Sequence, residues 1–277
     1  GQASFIGPVG DDDAKLDYCR FYAHLHRLVD EKVGRILDAL GSPEDDESLR
    51  SRTVIVRTSD HGEMGMSHGG QRQKMFNAYE ETINVPLVVS NPVLFTEPAS
   101  VEAPASLCDV LPTLATIAGA DCSDDGIRGR DLTPVLANAA SPDRRRLESV
   151  GVDFGAVVDH PEPAASVQEF THFSFDDHQS GSAYVDVAPH PNRIRSVRTP
   201  GAMYAVYFDP SGGESPEFEL YDMNRDPDQV ANLVDRSTGR VLSGRDRELR
   251  DRMHEALVAE MERCGTAPPV EIQGAGA

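Results

Sequence analysis

Between residues 14 and 40 apolar side chains return every three or four positions, at Leu16, Phe21, Tyr22, Leu25, Leu28, Val29, Val33, Ile36, Leu37 and Leu40. That period draws one long amphipathic helix ending at Gly41. The pattern then changes. Val54-Ile55-Val56 runs without polar alternation, as a strand buried on both faces of a parallel sheet does, and breaks at Thr58-Ser59-Asp60-His61-Gly62. A second run, Val85-Pro86-Leu87-Val88-Val89, closes this segment. The acid-rich link 42–51 with Pro43 reads as a surface loop, and 92–104, rich in Pro, Ala and Glu, as an exposed connection. Ser106 and Asp109 form a capping-box pattern ahead of a short helix that stops at Gly119, with Pro112 near enough to its first turn to be tolerated. A turn-rich loop over 121–131 leads to a short helical piece at 132–137.

From residue 149 the elements become short strands, at 149–155, 193–198, 202–208 and 217–223, separated by turn residues such as Pro200-Gly201 and Asp209-Pro210-Ser211-Gly212-Gly213. An amphipathic helix over 245–263 follows. The stretch 159–190 has no period. Its run from Phe170 to His178 could be imagined as a metal cluster, and a loop over the active-site side is the reading preferred for it. The expected architecture is α/β: a mostly parallel sheet flanked by helices over 1–148, with a small C-terminal α+β subdomain of hairpins and a helix over 149–277.

The chemistry concentrates in 53–92. Open α/β sheets place ligands outside the carboxyl ends of their strands, so Asp60 and His61, both hard or borderline metal ligands, sit where such a fold keeps its reaction. Gly62, Gly65, Gly69 and Gly70 permit a tight backbone beside His68 and Lys74. His24 and His26, two residues apart, point to different sides of the long helix and read as solvated or packed.

Composition narrows the partners. Of 277 residues 46 are acidic and 26 basic, a formal charge of -20, which argues against a nucleic-acid or anionic-membrane surface. Only Lys15, Lys32 and Lys74 are lysines. An Asp-rich, Lys-poor surface suits a salt-adapted cytosol, and a GC-rich genome would also trade Lys for Arg. Cys19, Cys108, Cys122 and Cys264 are scattered, with no Cys-x-x-Cys pair, and read as buried free thiols. No apolar run approaches the roughly 18 residues of a membrane span. No signal peptide is seen, which favours a cytoplasmic address, but the chain starts at Gly1 and not Met, so the beginning of the natural protein is expected upstream.

Across most of its length the chain resembles the C-terminal half of a sulfatase, in the alkaline phosphatase superfamily. The resemblance rests on Tyr18, Val29-Asp30 and Val33-Gly34-Arg35-Ile36-Leu37; on Thr58-Ser59-Asp60-His61-Gly62-Glu63 with His68-Gly69 and Lys74; and on Tyr79-Glu80-Glu81 with Val85-Pro86-Leu87. It continues through Asp109-Val110-Leu111-Pro112-Thr113-Leu114, Gly129-Arg130-Asp131-Leu132, Glu219-Leu220-Tyr221-Asp222-Met223, Asp226-Pro227 and Asn232-Leu233. It implies hydrolysis of a small-molecule sulfate monoester at a divalent cation, calcium first, with manganese or zinc also compatible with His61. Asp60 and His61 are then metal ligands, His61 and Lys74 catalytic groups, and Lys74 and His68 sulfate contacts.

The chain departs from the family in lacking the early Asp-Asp metal pair and the Cys/Ser-x-Pro-x-Arg motif whose first residue becomes the formylglycine nucleophile; Ser141-Pro142-Asp143-Arg144 has the wrong spacing. By the resemblance the chain begins past the middle of the intact enzyme and is incomplete for catalysis. A phosphodiester or phosphonate hydrolase of the same superfamily and a non-catalytic sulfatase-like binding module are the alternatives. The substrate and the oligomeric state are not readable from the residues.

Overall fold

The computed structural model describes residues 9–74, 76–122, 126–176 and 191–269. In chain order the main elements are α1 (Asp12–Ala39), β1 (Ile55–Thr58), α2 (Glu80–Ile83), β2 (Leu87–Ser90), α3 (Val110–Ile117), α4 (Thr133–Ala139), α5 (Arg144–Val150), α6 (Gly155–Val158), β3 (Thr171–Phe175), β4 (Arg193–Thr199), β5 (Ala202–Phe208), β6 (Glu217–Asp222) and α7 (Arg247–Cys264). They fall into two compact units. One holds Pro8–Asp60 and Val85–Gln168; the other holds His61–Asn84 and Glu169–Ala277.

In the first unit α1 starts where the Asp11 carboxylate accepts from the Asp13 amide. None of its residues is buried; of the predicted apolar stripe Phe21, Val29 and Ile36 are among the exposed residues, and Leu28, Val33, Leu37 and Leu40 are half-buried. β1 pairs with β2 in antiparallel register, Ile55 opposite Ser90 and Thr58 opposite Leu87. The class is α/β as expected, yet all ladders between the named strands are antiparallel, and β1 is not buried on both faces: Arg57 and Thr58 are exposed. Ser106 and Asp109 do form the capping box, and the buried Asp109 carboxylate also accepts from the Arg130 amide and Gln168 Nε2, each at 2.7 Å. The core here is Val93, Leu94, Val150 and Phe154.

The stretch 149–155 is not a strand. Asp143 caps the amides of Arg145 and Arg146, starting α5, and Gly151 ends it with a left-handed φ of 67°. A period of two had been read into residues that instead turn from one helix to the next.

In the second unit β3-β4-β5-β6 form an antiparallel sheet in sequence order. The strands 193–198, 202–208 and 217–223 and the helix at 245–263 lie where the pattern placed them, within a residue or two. Strand alternation divides β5 between two cores. Ala202, Tyr204 and Val206 pack with Met253, Leu257 and Met261 of α7; Met203, Ala205 and Tyr207 pack on the opposite face with Ala78 and Tyr79. β3 replaces the loop expected for 170–178: Phe173 and Phe175 alternate into the second core, and His172 binds the Ser196 carbonyl and the Thr266 hydroxyl through its two ring nitrogens. Residues 177–190, the remainder of that predicted loop, lie outside the described residues.

The cysteines are free, as expected, but Cys19 and Cys108 are exposed and Cys122 and Cys264 half-buried, because the helix faces that carry the first two are not covered. Among the described residues no helix is long and apolar enough to cross a membrane.

Candidate functional site

The sheet face opposite α7 carries the segment 61–84, and its attachment starts at buried polar groups. β6 points Glu217, Glu219 and Tyr221 to this side and Phe218 and Leu220 to the helix. Glu219 is 1% exposed. Its carboxylate accepts the Tyr207 hydroxyl at 2.9 Å and the Tyr79 hydroxyl at 3.5 Å, with Arg236 Nη1 also at 3.5 Å. Tyr207 in turn accepts the Ala78 amide at 3.2 Å. Burial pushes the Glu219 carboxyl up, and burial together with the Glu219 charge pushes Tyr79 up to about 12. A second anchor holds α2: Gln229 Oε1 accepts the Glu80 amide at 2.7 Å, and the Glu80 carboxylate pairs with Arg198.

On this support lies the glycine-rich loop. Gly62 donates its amide to the Thr82 carbonyl at 2.8 Å, and a Cβ on Gly62 would stand 2.0 Å from the Glu81 carbonyl oxygen, so only glycine allows this approach. The Met64 and Met66 amides bond to the Gln73 and Gln71 carbonyls, closing the loop on itself. Glu63 pins both ends, its Oε1 accepting the Gln73 amide at 2.7 Å and the Gly65 amide at 3.3 Å. Met66, His68, Gln73 and Phe76 have positive φ, a concentration of strained non-glycine backbone of the kind found at functional loops.

The structure places three of the four predicted site residues on this loop. His61 is exposed, and its Nδ1 lies 2.9 Å from the Gly62 carbonyl; a carbonyl only accepts, so Nδ1 donates there. His68 stacks on Tyr79 with ring centroids 3.8 Å apart and planes 13° apart, and its Nε2 faces Glu81 Oε2 at 3.5 Å. Lys74, half-buried, follows Gln73 at the pinned end of the loop. Asp60 ends the 8–60 segment of the other unit, exposed beyond the end of β1.

Asp60 and His61 offer a carboxylate and an imidazole, a donor pair suited to a divalent cation. Among the described residues no group of three or more His, Cys, Asp or Glu gathers into a cation-holding cluster. By themselves Asp60 and His61 supply two donors, fewer than a calcium or zinc ion takes.

Next to His68 the same unit has a groove of about 1030 Å³, lined among others by Gln71, Tyr79, Glu81, Tyr221, Asn232 and Arg236. The roles of Glu63, Tyr79, Glu219 and Gln229 were not foreseen. Glu63 could have been suspected from its place directly after Asp60-His61-Gly62; the others left no local signal.

A glycine-rich loop bearing imidazole and ammonium groups, carried on an antiparallel sheet with one packed helix, belongs to an α/β fold shared with solved sulfatases. The structure of BT4656, solved with its substrate D-glucosamine-2-N,6-O-disulfate, superimposes with a TM-score of 0.62 at 22% identity, covering 87% of this chain and 40% of that one. Residues 3–120 match the Sulfatase family. It is 27% identical over 256 residues to the uncharacterized sulfatase YidJ of Escherichia coli K12, covering 92% of this chain and 40% of the relative. It is 28% identical over 224 residues to arylsulfatase K of Xenopus laevis, covering 79% and 34%. The chain thus spans two fifths or less of the length of these curated relatives.

Proposed function

We propose that this chain is part of a sulfuric ester hydrolase that cleaves a sulfate monoester of a small molecule. The observation that carries the reading is the loop from His61 to Lys74, pinned by Glu63 and Gly62, which presents two imidazoles and one of the chain's three lysines on one rigid support. The match of residues 3–120 to the Sulfatase family and the sulfated sugar bound by BT4656 support the same class of substrate.

In the net reaction the sulfur–alkoxide bond breaks, sulfur gains an oxygen from the nucleophile that water afterwards replaces, and the alcohol oxygen takes a proton. The Lys74 ammonium supplies fixed positive charge for the sulfate oxygens and for the leaving oxygen, where charge develops. His68 contacts the sulfate, and His61 Nε2 is the position for proton exchange or metal binding. Asp60 and His61 would be two of the donors to a divalent cation, calcium in the first instance and manganese or zinc as alternatives, which would draw charge from the sulfate oxygens. No Cys/Ser-x-Pro-x-Arg stretch occurs in this sequence, so this reading assigns the nucleophile and the remaining donors to residues outside it.

The test is sulfate release from D-glucosamine-2-N,6-O-disulfate and 4-nitrophenyl sulfate by the protein that contains this chain together with the nucleophile. Lys74→Ala is expected to lower kcat/KM by about 10² or more. Unchanged turnover in that variant would remove the proposed role, and turnover by the 277-residue chain alone, abolished by Asp60→Ala, would overturn the assignment of the nucleophile.

A further inference from the structure

Building on the sulfate-ester reading, we infer that the groove beside His68 seats the alcohol part of the ester and takes a single hydroxyl-bearing ring of low negative charge, a sugar unit. It does so in preference to a sterol, an aryl group or a multiply sulfated sugar. The argument starts from size: about 1030 Å³ is the upper end of what small-molecule sites offer, and one sugar ring with its substituents fits with room for water.

The lining then decides the chemistry. A sterol needs a continuous apolar wall, whereas the apolar side chains here are confined to Val230, Val234 and Leu242, of which Val230 is 78% and Leu242 67% exposed and Val234 is buried in the core. An aryl group needs an open aromatic face. Tyr79 already has His68 stacked on it, and Tyr221 is 4% exposed. What remains is oxygen-rich: the carboxylates of Glu81 and Asp228 and the amide of Gln71, which suit hydroxyl and ammonium groups, while the Asp235 carboxylate is held by Ser237 and Thr238.

The charge balance works against anions. Arg236 is the groove's arginine, and it is committed to acids of the protein itself, with Nε 2.6 Å from Glu217 Oε2 and Nη1 3.5 Å from Glu219 Oε1. A sulfate placed in this groove would face Glu81, Asp228 and Asp235 with little compensation. The single sulfate of the ester belongs instead to the loop that carries Lys74; a second or third sulfate on the ring is disfavoured.

The experiment titrates the 277-residue chain with D-glucosamine, D-glucosamine 6-sulfate and D-glucosamine-2-N,6-O-disulfate, reading amide shifts of Val230, Asn232 and Arg236 by NMR. Saturable shifts are expected with the first two, and at least about three- to fivefold weaker binding with the disulfate, in which N-sulfation turns the ring's ammonium into an anionic sulfamate beside exposed acids. Glu81→Gln and, at an exposed position, Asp228→Asn should each narrow that difference. Equal or tighter binding of the disulfate, or a difference that neither variant alters, overturns the inference. Unsulfated glucosamine separates it from the reading beneath it. Absence of groove shifts with glucosamine defeats the groove assignment even where sulfate esters are hydrolysed; groove shifts with glucosamine, but no turnover of any sulfate ester by the longer protein, defeats the hydrolase reading alone.

Discussion

The imidazole of His68 lies flat on the phenol of Tyr79, with ring centroids 3.8 Å apart and planes 13° apart. The two residues are joined through the sheet beneath them, because the Tyr79 hydroxyl points at the buried Glu219 carboxylate. Removing the ring should therefore loosen the loop without unfolding the sheet. Tyr79→Leu is expected to speed proteolytic cleavage between residues 64 and 73, while Tyr79→Phe, which keeps the stack, leaves it near the parent rate. Limited proteolysis followed by mass spectrometry distinguishes the two, and equal protection in Tyr79→Leu would show that the stack does not hold the loop.

Glu219 makes stability depend on pH. Burial holds its folded-state pKa above the ordinary 4.5, so the folded chain holds the proton more tightly than the unfolded one. Its favourable contribution is complete below 4.5 and is lost as pH rises through the raised value. Urea midpoints measured from pH 4 to neutrality should fall more steeply for the parent than for Glu219→Gln, which cannot ionise. Parallel curves would mean that the carboxyl titrates normally.

At Gly62 the added methyl of alanine would meet the Glu81 carbonyl at 2.0 Å, and this neighbour is backbone that cannot swing aside. Gly62→Ala is expected to cost about 1–3 kcal/mol in denaturant unfolding, the range for forced overpacking. It should also break the Gly62–Thr82 hydrogen bond, read as faster amide exchange at Gly62. A parent-like exchange rate would show that the loop re-seats without loss.

Asp109 concentrates more bonds on one buried carboxylate than a simple cap needs. It serves the amides of Ser106 and Arg130 and the side chain of Gln168. Asp109→Ala leaves three donors without an acceptor and should destabilise the chain by about 2–3 kcal/mol, more than loss of the Ser106 hydroxyl in Ser106→Ala, at about 1 kcal/mol. Chemical denaturation of the two variants checks the order. Equal losses would reduce Asp109 to its capping role.

The candidate site was legible where chemistry is local. Asp60, His61, His68 and Lys74 follow one another within fifteen residues, and the glycines among them announce the tight loop that the positive φ values record. Glu219 was not legible as a buried group. In β6 it alternates with Phe218 and Leu220 as a solvent-facing acid would, and it is covered only because 61–84 folds back across that face.

By itself the sequence determined the elements whose cause lies within a few residues: the period that draws α1, the Ser106 cap, and the alternating strands β4 to β6 with the helix that follows. Tertiary structure decided everything that depends on a distant partner. It paired β1 with β2 in antiparallel register, turned 149–155 into the end of a helix, buried Glu219 under Tyr79, and joined Gln229 to Glu80 across 149 residues of chain. The physical reason is one of range. Caps and periods act through neighbouring backbone groups, whereas the burial of a polar side chain depends on which segment comes to cover it, and no local pattern states that.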